Sequence, residues 1–116
     1  MSEFTHVVER TVAQLRDDAG VTDVDTALVE AVAKGLGPSI YAADASTVSC
    51  SDAEELSRVR ESFVKGKLGV SDSDADIDAA IADVCAQLGT SNRNKLRTAF
   101  YYLLTVRYGK QSVYSA

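Results

Sequence analysis

The chain has 116 residues, of which 46% are hydrophobic and 25% charged, and a formal net charge of −5. That length is one domain, 1–116, able to bury a core without metal or disulfide staples, and the composition excludes a disordered or fibrous chain. No apolar run reaches the roughly 18 residues of a membrane span, Glu3, His6, Glu9 and Arg10 break the stretch where a secretory signal would lie, and no lipidation motif is present, so a cytoplasmic location is expected.

Helical periodicity is found in five segments. The first covers about 3–18, with Phe4, Val7, Val8, Val12 and Leu15 on one face, and the second about 23–36, with Val24, Leu28, Ala31 and Val32. The connection from Pro38 to Cys50 carries Ile40, Tyr41, Ala42, Ala43 and Val48, too apolar for a solvated linker, so it is expected to pack across the bundle with a short helical turn. The third helix covers about 52–67, with Leu56, Val59 and Phe63 inward. Ser51 with Glu54 reads as its capping box, and Glu54/Arg58 and Glu61/Lys65 are acid-first pairs four apart. The fourth covers about 74–88, opened by Ser73 with Asp76; Ile77, Ile81, Val84, Cys85 and Leu88 form its core face and Ala79, Ala82 and Ala86 a second, flat one. The fifth covers about 92–108 and has the broadest apolar surface: Leu96, Ala99, Phe100, Leu103, Leu104 and Val106.

A glycine stands just past each segment, at Gly20, Gly37, Gly69, Gly89 and Gly109, where the residue after a helix commonly turns left-handed. The fold class is therefore all-α, a single bundle of about five helices, with no strand expected. The phrase Val48 to Glu54 nearly recurs as Val70 to Asp76; two copies of a good helix-start phrase do not make a solenoid.

Little in the sequence has the spacing of a reactive site. Cys50 and Cys85 are the only cysteines, not a Cys-x-x-Cys pair, and with a single histidine they make no ordinary zinc site; in a reducing cytosol both are expected as free thiols. Cys50, just before a helix start, is the one weak catalytic or redox candidate, since a helix N-terminus lowers a thiol pKa; Asp52 and Glu54 oppose that, and a small packed residue is the plainer reading. Cys85 reads as packing. Asp72, Asp74, Asp76 and Asp78 alternate like a calcium loop, but Ile77 and Asp83 stand where its glycine and glutamate belong; acids opposing a helix dipole explain them better. No metal and no cofactor site is expected. His6 falls on a polar face, no Gly-x-Ser-x-Gly is present, and Gly35-Leu36-Gly37 ends a helix instead of opening a phosphate loop.

Charge is unevenly spread: residues 1–57 carry 3 basic and 11 acidic residues, residues 58–116 carry 9 and 6. Between Asn92 and Lys110 the chain has Arg93, Lys95, Arg97, Arg107 and Lys110, no acid, and the aromatics Phe100, Tyr101 and Tyr102. That is the composition of a nucleic-acid-binding helix, although the aromatics also fall where the core needs them. If the fourth and fifth helices, joined through Gly89 to Ser91, are antiparallel neighbours, Asp74, Asp76 and Asp78 answer Arg107 and Lys110 internally.

Asp44 to Asp52, continuing into Glu55-Leu56 and Arg58 to Phe63, with Asn92-Arg93-Asn94-Lys95 and Phe100 to Leu104, resembles the small bacterial family known as domain of unknown function 2853, over about residues 24–110. The resemblance implies a bacterial, cytoplasmic source and a helical fold, and no activity, ligand or catalytic residue. The leading expectation is a non-catalytic domain that binds another protein or itself, with Ala79, Ala82 and Ala86 either a dimer seam or the far side of a centrally buried helix. The alternatives are a small enzyme or redox sensor using Cys50 and a nucleic-acid binder using 92–110.

Overall fold

Packing in this chain is organised around its last long helix. The computed structural model describes residues 3–42 and 45–114. Five α-helices are found there: α1 Glu3–Asp17, α2 Thr26–Leu36, α3 Ala53–Arg58, α4 Asp74–Gln87 and α5 Arg97–Arg107. The chain is an all-α single domain. α5 buries Thr98, Ala99, Phe100, Tyr102, Leu103, Leu104 and Thr105 against α1, α2 and α4; Val106, expected inward, is 42% exposed.

Two polar bonds fix how α1 and α2 sit on it. The hydroxyls of Thr11 and Thr98 pair inside the core, so neither is left unsatisfied. The Tyr102 hydroxyl accepts from the Asp25 backbone N–H at 2.9 Å, while the Asp25 carboxylate accepts from Leu28 N at 3.1 Å and caps α2. This cap starts α2 three residues later than its periodicity suggests, leaving Val24 in the preceding loop, half-buried against the core.

After α2 a 3-10 turn, Gly37–Tyr41, buries Ile40, the short turn expected in this connection. Ala43 and Asp44 lie outside the described residues. Beyond them the chain runs against the segment before α5. Thr47 and Leu96 form an isolated antiparallel bridge, Val48 N donates to Lys95 O at 2.9 Å, and Arg97 N donates to Ser46 O at 2.8 Å. Among the described residues there is no strand.

The third helical segment departs from the expected regular helix. α3 is six residues long, and the chain continues as a π-helix over Val59–Lys67. The apolar spacing accounts for this. Val59, Phe63, Val64 and Leu68 are all buried, at 1%, 5%, 0% and 2% exposure, and their four–one–four spacing matches a helix of about 4.4 residues per turn with i→i+5 bonds better than an α-helix. Its far end shows such a bond, Leu68 N to Phe63 O at 2.9 Å. The cap also differs from expectation: Asp52, not Ser51, accepts from Glu54 N and Glu55 N, because the carboxylate one residue nearer the helix reaches both donors. Arg58 accordingly pairs with Glu55, and Glu61 with Lys65 as expected.

α4 opens at Ser73, whose hydroxyl accepts from Asp76 N at 3.2 Å. All five helix-ending glycines have positive φ, from 63° to 105°. At Gly89 a Cβ would also stand 3.4 Å from Asn92 Cβ, so this glycine both reverses the chain and admits the loop that follows. That loop, residues 88–96, replaces the expected first turn of the fifth helix.

Candidate functional site

A cleft of about 830 Å³ opens between two walls. One is the loop Thr47 to Ser51 with Leu56 of α3; the other is Ala82, Cys85 and Ala86 of α4, continued by Thr90 to Arg93 and Lys95. Cys50 and Cys85 meet across it in a disulfide, with Cα atoms 6.1 Å apart, and among the described residues no cysteine is free. The expectation of two free thiols is overturned. Residues 35 apart in sequence become neighbours because residues 45–48 are drawn back along 95–97 beside α4. By restricting the unfolded chain, such a cross-link stabilises the fold by about 3–4 kcal/mol. Cys85 keeps its expected place on the core face of α4, and the sulfur at Cys50 is a disulfide sulfur, not a helix-end thiolate.

The cationic side of the cleft is built by the Asn-rich loop. Asn92 Nδ2 donates to Leu88 O and to Asp18, just past α1, at 3.1 and 3.2 Å, and Asn94 N donates to Asn92 Oδ1 at 2.9 Å. From α1, Gln14 donates to Asn94 O at 2.7 Å and accepts from Leu96 N at 2.8 Å. The loop is thus clamped from inside, and it carries Lys95 to 4% exposure. The Lys95 ammonium donates to Asn92 O. Among the described residues it has no carboxylate partner, and neither has Arg93. Among the described residues no acid lines the cleft. Buried lysines are ordinarily paired, so a buried lysine in the lining of a cleft with no acid among its described residues is the strongest chemical feature found here.

The sequence profile of the family described as protein of unknown function (DUF2853) matches residues 10–112. The chain belongs to the DUF2853 family. No curated protein matches it. In this DUF2853 chain the phrases that carried the resemblance converge: the residues leading into α3 form one cleft wall and Asn92 to Lys95 the other.

Other predicted site residues have different employments. Arg97 is turned inward. Its guanidinium donates to Ala45 O at 2.6 Å, Thr47 O at 3.1 Å and Glu55 Oε1 at 2.5 Å, joining the 45–48 loop and α3 to α5. Burial works against its charge, but the bonds to Glu55 and Tyr101 outweigh that and raise its pKa further. Arg107 pairs with Asp83 at 3.0 Å, not with the acids opening α4. Asp74 and Asp78 instead meet Lys65 and Arg60 on the π-helix, because the wide turn lays that segment beside the start of α4. His6 is exposed, and Ala79, Ala82 and Ala86 are exposed too: α4 lies at the edge of the bundle, so the centrally buried alternative fails, and Ala82 and Ala86 belong to the cleft wall. In the sequence Lys95 stands as one cation among several on the expected fifth helix, with no sign of its burial; its one signal was the lack of any acid from Asn92 to Lys110.

Proposed function

We propose that this chain is a non-catalytic protein-interaction domain that docks an acidic segment of a partner protein in the cleft between the 47–51 loop and α4. The observation that carries this reading is the buried Lys95, beside Arg93, in a cleft that no acid lines among the described residues. An incoming carboxylate supplies the missing counter-charge, and Ser49, Ser51, Thr90 and Ser91 offer hydroxyl donors around it. Ala82 and Ala86 leave room for backbone to approach. A bacterial, cytoplasmic setting fits the family resemblance, and there a disulfide is ordinarily transient or redox-sensing.

The nucleic-acid reading loses support from the internal use of Arg97 and Arg107, which leaves Arg93, Lys95 and Lys110 as the cations of that stretch without a carboxylate partner among the described residues. Titration calorimetry with a peptide of alternating aspartate and glycine tests the proposal. Binding that weakens with salt, and disappears when asparagine replaces aspartate, is expected. Equal binding of the asparagine peptide, or saturation by inorganic phosphate or duplex DNA at about 0.15 M salt with none by the aspartate peptide, would overturn it.

A further inference from the structure

The cleft's two walls are fastened unequally. Residues 45–48 are held to 95–97 by the backbone bonds of Val48 and Arg97 and by the Arg97 guanidinium. Residues 49–52 are not. Their described hydrogen bonds stay local: Ser49 Oγ with Ser51 Oγ, Asp52 N to Ser49 O, and the Asp52 carboxylate to the first amides of α3. Among the described residues no hydrogen bond or ion pair joins 49–52 to α4 or to the 88–95 loop; the Cys50–Cys85 bond alone does. Cys50 is half-buried, and both cysteines line the cleft a reductant would enter.

We infer that the Cys50–Cys85 disulfide is a redox latch across the cleft, opened by a dithiol reductant, and that opening it weakens docking of the acidic segment; this rests on the docking reading above. A thiolate of the dithiol attacks Cys50 Sγ, the Sγ–Sγ bond breaks, and Cys85 leaves as a thiolate that takes up a proton. The second thiol of the reductant, giving up its proton, then attacks its own sulfur in the mixed disulfide. Cys50 departs and is protonated, the protein holds two thiols, and the reductant becomes a cyclic disulfide. The helices remain, because α4 keeps Ile77, Ile81, Val84 and Leu88 in the core and its ion pairs to the π-helix. What changes is the 49–52 wall, which must be ordered anew each time a ligand docks, and ordering a loop on binding lowers affinity. Lys95 and Arg93 lie on the other wall, so binding weakens without vanishing.

The test compares the oxidised chain, the dithiothreitol-reduced chain and the Cys50→Ser, Cys85→Ser double variant by amide NMR relaxation and by titration with the aspartate–glycine peptide. Reduction is expected to lower order parameters at residues 49–52, to shift resonances there and around Cys85 only, and to weaken the peptide roughly fivefold, with the double variant matching the reduced chain. Unchanged order parameters at 49–52, equal affinity of oxidised and reduced protein, or loss of the whole folded spectrum on reduction would overturn the latch. If the peptide binds neither form the docking reading falls, and with it the coupling; the relaxation data still decide the latch.

Discussion

The side of the bundle formed by α1, α2 and α5 and the side formed by the cleft are held together by different means. On the first, Leu15, Val29, Val32, Phe100 and Leu104 are fully buried, and two polar bonds, Thr11 with Thr98 and Asp25 with Tyr102, lock the register. On the second, a few discrete links do the work: Arg97, the Asn92 turn and one disulfide. Dense packing spreads its stabilisation over many small contacts and resists local change. Discrete links leave a cleft between them and can be broken one at a time, which suits binding and its control.

The largest effect is expected where packing is densest. Phe100→Ala should cost about 3–5 kcal/mol, seen as a fall in the urea midpoint with the transition still cooperative. Arg97→Met should cost less, about 2 kcal/mol, since Ala45 O, Thr47 O and Glu55 lose their donor. Its effect should also be local: NMR shift changes at 45–56, with α1 and α2 undisturbed. Changes spread through α1 and α2 would erase the distinction between the two sides.

A smaller, pH-dependent effect reads the same link from its acidic end. Burial pushes the Glu55 carboxyl up, but the Arg97 and Arg58 guanidinium bonds outweigh this and hold its pKa below the ordinary 4.5. A depressed carboxylate contributes stability that is complete above the unfolded value and is lost as pH falls through the folded one. Urea midpoints measured from about pH 6 to about pH 3 should therefore fall more steeply for the native chain than for Glu55→Gln. Parallel curves would mean the pair contributes nothing.

The packed side was the more legible in the sequence. Apolar stripes at helical spacing and the glycines after each helix specify α1, α2, α4 and α5, because burying one face of a helix leaves a periodic trace. Some boundaries were hidden by capping: Asp25 and Asp52 begin their helices through carboxylate bonds that the neighbouring Val24 and Ser51 mask. The π-helix was visible in principle, in the four–one–four spacing from Val59 to Leu68, but only when Val64 and Leu68 are counted with Val59 and Phe63. The cleft was scarcely legible. Its disulfide joins residues brought together only by the return of the 45–48 loop, and the burial of Lys95 depends on bonds from Gln14, some eighty positions away. Cross-chain contacts of that kind leave no local pattern.

Lys95→Met tests the docking claim most directly, because it keeps the packed stem and removes the charge together with its bond to Asn92 O. An ammonium held without a carboxylate costs the free protein stability. Lys95→Met is therefore expected to raise the urea midpoint, by about 1 kcal/mol in stability, while weakening binding of the aspartate–glycine peptide about tenfold. A variant that is less stable than the native chain and binds the peptide equally well would contradict it.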